Sequence, residues 1–317
     1  MRTHGPSLVD LRELRASDLA PVLEAQVAYW RSRFSWDIAP AMGAMRKMLD
    51  RRALVGRAVV SSGRPAGYCY FMPRGRIATV GDLFVLRHCD RRGRMQQRLL
   101  ESTLSAAALQ PGVERIQGQL LFLRTLPSLR FALLGELRSF SRELMLATDL
   151  GFSGRRPCRG GLQLSRWSDR HREGAAELIA SAYRGHVDSF VNELYGSVEG
   201  ARSLLRRLTA RTGPTWFFPP ASAIARAPGE ASLAGMTMGS MVGDRVGHVL
   251  QLCVSPAAQG RGLGSELLRH SLSAFASAGC EAVSLTVTRS NRKALEFYER
   301  RGFDSIASFP AFVWERI

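Results

Sequence analysis

A chain of 317 residues, 45% hydrophobic and 22% charged, has the composition of a globular protein long enough for two domains. The formal net charge is +17, and all but Lys47 and Lys293 of the 44 basic side chains are arginine. They are scattered, with short runs at Arg91-Arg92 and Arg155-Arg156, so they read as a solvated arginine-rich surface and argue against a nucleic-acid partner, which would call for a clustered patch.

No run of about 18 apolar residues is present, which excludes a membrane-spanning helix, and the N-terminal residues lack the apolar segment of a signal peptide. The cysteines are Cys69, Cys89, Cys158, Cys253 and Cys280. Five is an odd number and no C-x-x-C occurs, so neither a disulfide framework nor a metal site is expected, and a reducing cytoplasm fits.

In chain order, Leu8 to Arg15 alternates as a first strand. A helix starts at Ser17-Asp18 with Pro21 in its first turn, and Arg31 to Arg52 is a second helical stretch. Strands follow at Ala53–Val60, Ala66–Met72 and Ala78–Leu86, the first two joined by a hairpin turn at Ser61 to Pro65. Asp90 to Met95 then leads into a helix bearing Leu99 and Leu100. Leu120 to Leu137 is long enough to hold an extra helix, and Gly151 to Gly161, rich in Gly and Arg, is a junction.

The second half begins with a strand at Leu162–Leu164 and helices at Glu173–Arg184 and Gly200–Arg211. Between those helices lie His186, Asp188, Asn192, Glu193 and Tyr195. Strand material at Trp216–Phe218, Ser222–Ala227, Leu233–Val242 and Gly247–Val254 predicts a largely antiparallel sheet with helices on its faces, an α/β fold.

The most informative stretch runs from Leu250 to Phe303. An apolar strand ends at Ser255-Pro256, and Gln259, Gly260, Arg261, Gly262, Leu263 and Gly264 form a glycine-rich turn. Ser265 follows, and a helix carries Leu267, Leu268, Leu272 and Phe275 on one face. The first N–H groups of a helix have no internal partner and sit at the positive end of its dipole, so such a turn can hold a diphosphate. The alternative is a glycine-rich loop used only for turning. Neither G-x-x-x-x-G-K-[ST] nor G-x-G-x-x-G is matched, which excludes two nucleotide motifs. Val283 to Thr288 reads as a strand, and Asn291 is placed to cap a helix bearing Ala294, Leu295, Phe297 and Tyr298 before Gly302-Phe303.

This succession resembles the acyl-CoA-binding core of the GCN5-related N-acetyltransferases (GNAT): a Q-x-x-G-x-G loop at Gln259–Gly264, then Asn291, then Tyr298 seven residues later. The resemblance implies an N-acetyltransferase that moves an acetyl group from acetyl-CoA to a primary amine by direct transfer. It implies that the loop from Gln259 to Ser265, with Asn291, holds acetyl-CoA. Leu252, Cys253 and Val254 would hold the pantetheine arm and polarise the thioester. Tyr298 would be the general acid. The family's glutamate base, five residues before the Asn, falls on Thr286, so the base stays open among His248, Asp188, Glu193 and His186 or a water-mediated route. Cys253 as a covalent acyl carrier is the weaker alternative to a buried structural thiol.

Asp90 to Leu100 repeats the layout of Gln259 to Leu268, with Gly93 at the place of Gly262, and Leu150-Gly151-Phe152 answers Arg301-Gly302-Phe303. Two tandem GNAT folds are therefore expected, a degenerate copy at 1–158 and a catalytic copy at 159–317. In the first copy Met95 replaces Gly264 and Asp90 replaces Gln259, hindering a phosphate by bulk and by charge. The tandem layout also resembles mycothiol synthase. That leaves acetylation of a thiol-containing amino-sugar conjugate as one alternative, and a non-enzymatic acyl-CoA-sensing module as another.

Overall fold

Ser62 and Gly63 both take positive φ, 51° and 75°, between the paired residues Ser61 and Arg64. A two-residue loop of this kind matches the natural twist of two strands, so the chain folds back on itself here. The computed structural model describes residues 6–90, 93–127, 135–151, 161–210 and 216–317. The junction at 152–160, with Cys158, Arg155 and Arg156, lies outside the described residues, as do Arg91 and Arg92.

Two units result. The first comprises Met1–Ser141 with Ser308–Ile317, and the second Arg142–Ala307. In the first, β1 (Ser7–Asp10), α1 (Ala16–Phe34), α2 (Ala39–Asp50), β2 (Val55–Ser61), β3 (Arg64–Arg74), β4 (Ile77–Val85), α3 (Arg94–Ala108) and β5 (Arg115–Gln119) follow in turn. Neighbouring strands are antiparallel except β4 and β5, which run parallel. Side chains alternate between faces. Ala58 and Tyr68 pack with α1 and α2, while Val59 and Cys69 pack with Leu99, Leu100 and Leu104 of α3.

Three expectations need correction here. The first strand stops at Asp10, whose carboxylate accepts the Arg12 N–H at 2.9 Å and starts a turn. Pro21 is the sixth residue of α1, beyond the first turn. The described part of 120–127 holds no helix, and Gly135 already opens a strand, with 128–134 outside the described residues.

The second unit contains β6 (Gly135–Ala147, from Arg142 on), β7 (Gln163–Arg166), α4 (Arg172–Ala182), α5 (Val187–Val191), α6 (Val198–Leu208), β8 (Trp216–Phe217), β9 (Ala223–Arg226), β10 (Leu233–Gly243), β11 (Val246–Val254), α7 (Leu263–Ser277), β12 (Ala282–Thr288) and α8 (Arg292–Glu299). Its strands lie in the order β7-β9-β10-β11-β12-β6, with β8 on β10, and again one pair, β11 and β12, is parallel. Ile224 packs with α4 and α6, and its neighbours Ala223 and Ala225 with Leu263 and Leu267 of α7.

Each unit takes its last strand from the other half of the chain. Residues 142–147 of β6 pair antiparallel with β12. In the first unit, Ala311–Glu315 of β13 (Asp304–Arg316) pair antiparallel with β5. The compact units therefore do not divide at 158/159, because both boundary strands lie across the point where the sequence repeats.

Candidate active site

The parallel pairing of β11 with β12 ends at Val249 and Leu285. Beyond it the strands separate. A register shift between β10 and β11 leaves Leu250 as an extra residue at the same point, a bulge that bends β11. Among the described residues, the β12-facing edge of Leu250–Val254 has no strand partner. A cleft opens in that gap, lined by Arg142, Asp188, Tyr183, Gln251, Asn291 and Tyr298, with Leu252 and Thr286 also in its wall.

At the mouth of α7 the chain turns on glycine. Gly260 and Gly262 have φ of 75° and 85°, a conformation that side chains resist, and open space surrounds both. Gly262 is the N-cap of α7, and among the described residues no side chain caps the helix. Gln259 donates from Nε2 to the Val254 carbonyl at 3.3 Å, tying the turn to β11. Gly264 has no strained φ. A Cβ there would lie 3.5 Å from the Phe297 ring, an ordinary contact, so an alanine fits. The Ser265 hydroxyl accepts from Arg301 Nη2. Arg301 also donates to the Phe297 carbonyl at 2.6 Å and lies 3.7 Å from the Phe297 ring. This cation at the helix mouth was read from the sequence only as the end of α8. Burial, then Arg300, lowers its pKa.

Asn291 does cap α8, accepting the Ala294 N–H at 3.2 Å. The cap aligns Tyr298 on the inner face of α8, buried in the cleft wall. Burial, then the nearby Asp188 and Cys253, pushes the phenol well above its ordinary pKa and keeps its proton in place at neutral pH. Tyr183 accepts from Gln251 Nε2 at 2.7 Å and stacks on Tyr195 with ring centroids 4.5 Å apart.

Of the four potential bases, Asp188 lines the cleft, whereas His248, Glu193 and His186 do not. Asp188 Oδ1 accepts from Thr288 Oγ1 and lies 3.4 Å from Arg142 Nη1. His248 is buried and paired with Ser284 at 2.9 Å, and burial lowers its pKa to about 4. Cys253 packs in the core with Met236, and burial raises its pKa to about 12, so it is a thiol and no nucleophile. Among the described residues no cluster could hold a metal ion, and no helix is long and apolar enough to cross a membrane.

The first unit repeats this construction. Its parallel pair ends at Val80 and Gly118, and Gly93, with φ of 69°, caps α3 as Gly262 caps α7. There, however, the Asp90 carboxylate accepts the Gln96 N–H at 2.8 Å. The helix end already holds an anion of its own. Met95 is half-buried and packs against the first unit's core. Past the end of the pairing, the Tyr70 ring lies so close to Gly81 that a Cβ there would be 2.1 Å away.

Residues 192–303 match the model of the acetyltransferase (GNAT) family. Mycothiol acetyltransferase of Beutenbergia cavernae is 30% identical over 153 residues, 48% of this chain and 48% of that protein. Mycothiol acetyltransferase of Thermomonospora curvata is 38% identical over 103 residues, 32% of this chain and 34% of that protein. The chain thus spans at most about half the length of these curated relatives. A tandem GNAT protein from the clavulanic acid biosynthesis pathway superposes over 98% of both chains with a TM-score of 0.65 at 17% identity, a likeness of fold. The family match falls in the unit that carries the open helix end and the splayed strands, so residues 192–303 form a GNAT-family segment in a chain that has the fold of the tandem GNAT proteins.

Proposed function

We propose that the second unit is an N-acetyltransferase that uses acetyl-CoA and acts on a primary amine. The observation that carries this reading is the coincidence, in one unit, of an uncapped helix end at Gly262, parted strands after Val249 and a buried phenol at Tyr298. The open glycine turn from Gln259 to Ser265 fits a diphosphate, with Arg261 adding charge from its exposed position and Arg301 at the helix mouth. The unpaired edge of Leu252–Val254 offers main-chain groups to an amide-bearing arm and to a carbonyl that gains negative charge. Acetyl-CoA, when bound, supplies an activated thioester. Asp188 receives the amine and takes its proton, and Tyr298 gives a proton to the departing thiolate. The capped end of α3 leaves the first unit without a cofactor site, so one acetyl-CoA binds per chain.

A finer reading, acetylation of a thiol-containing amino-sugar conjugate, draws on the relatives named mycothiol acetyltransferases. Amines, peptides, aminoglycosides and such a conjugate are offered with acetyl-CoA, and free thiol is followed. Release that depends on an amine supports the transferase. Titration should give one tight acetyl-CoA site, and two equivalent sites would reject the single-site assignment.

A further inference from the structure

Among the described residues Arg142 is the one cation in the cleft wall, and it lies outside the stretch that matches the family, residues 192–303. It comes from β6, opposite Thr288 on β12, and is 8% exposed. Its Nη1 is 3.4 Å from Asp188 Oδ1, a long contact, and its Nη2 donates to Thr286 Oγ1 at 3.2 Å. Its Nε is shielded from solvent and has no acceptor. A buried charged donor left unmatched is disfavoured unless something else accepts from it. Asp188 presents the complementary case. Its Oδ1 is shared by Thr288 and Arg142, and its Oδ2 lies 3.5 Å from His186 Nδ1. That nitrogen already accepts the Asp188 N–H at 3.1 Å, so it offers Oδ2 no proton.

The wall thus sets a guanidinium with one unmatched N–H beside a carboxylate that it pairs with only at 3.4 Å, and both residues line the cleft. A ligand that satisfies both carries an amine and an oxygen acceptor equally close together. We propose that Arg142 is a specificity-determining residue that binds the carbonyl or carboxylate oxygen of an α-aminoacyl group while Asp188 holds its nitrogen. The arrangement N–C–C=O supplies both groups at the required closeness. A simple alkylamine supplies only the first, and leaves Nε unmatched. The inference rests on the cleft being the acceptor site of the proposed transferase, and a binding assay separates the two.

Three probes that mimic acetylated products are titrated against the protein with CoA present: N-acetylalanine, N-acetylalaninamide and N-ethylacetamide, which keeps the acetyl group and lacks the alanyl carbonyl. At least one of the first two should bind tenfold or more tightly than the third, and Arg142→Gln should bring them within about twofold while leaving the Kd for CoA unchanged. A larger advantage for N-acetylalanine marks a free amino acid as the acceptor. An advantage for N-acetylalaninamide marks an amide-linked aminoacyl group. Equal or absent binding of all three to the wild-type protein overturns the proposal, whatever the variant does, and so does an advantage that survives in Arg142→Gln. Oxygen-dependent binding without amine-dependent thiol release keeps this site and rejects the transferase. Amine-dependent release without discrimination between the probes does the reverse.

Discussion

At the scale of single residues, Tyr298 separates chemistry from packing. It lies 5.1 Å from Phe297 and 5.7 Å from Phe303, ring to ring, so much of its area is core. Tyr298→Phe keeps that area and removes one proton. Turnover should fall roughly a hundredfold while acetyl-CoA affinity stays within about twofold. Unchanged single-turnover rates would leave Tyr298 a core residue. Tyr298 and its cap Asn291 are legible in the sequence because seven residues of one helix fix their relation. Asp188 was one name among four, and only the fold brings it to Tyr298. Arg142 was not legible at all. It sits 46 residues before Asp188 and 144 before Thr286, in a strand that belongs by sequence order to the other half. Nothing local in Ser141-Arg142-Glu143 distinguishes it from the other arginines.

At the scale of elements, α3 and α7 are one design with two endings. Both start on a glycine in the left-handed conformation, which leaves the first N–H groups pointing outward. Asp90 fills that end in α3, and among the described residues no side chain fills it in α7. Gly264→Glu should place a carboxylate and bulk against Phe297 at the open end and weaken acetyl-CoA at least tenfold by calorimetry, about 1.4 kcal/mol. Full affinity in a folded variant would mean that this turn does not bind the diphosphate. Asp90→Ala should act on stability instead. The lost cap costs about 1 kcal/mol, or about 2–4 °C in the melting temperature, and acetyl-CoA affinity does not change. The order of helices and strands was legible because periodicity and turn residues are local. The parting of β11 from β12 was not, since it depends on a bulge at Leu250 that only pairing reveals.

At the scale of the molecule, acid acts on the two units in opposite senses. His248, in the second, has its folded pKa lowered to about 4 by burial, then by Arg142. Its stabilising contribution is complete above its unfolded value of about 6.5 and is lost as pH falls toward 4. Asp82, in the first, is held by Gln26 Nε2 at 2.9 Å, and burial raises its pKa to about 6. Its contribution is complete below its unfolded value and is lost as pH rises through 6. Between pH 7 and pH 5 the second unit should lose about 2 kcal/mol and the first gain about 1 kcal/mol. Hydrogen exchange, corrected for its intrinsic pH dependence, should show β11 and β12 losing protection relative to β2 and β3. A parallel response of both units would contradict this. The exchanged strands also order events in time. A ribosome releases β5 some two hundred residues before the segment Ala311–Glu315 that must lie beside it. The unit written first is therefore the last that can finish folding, and a chain that stops ten residues early leaves β5 as a bare sheet edge, the kind of surface on which unfinished chains aggregate.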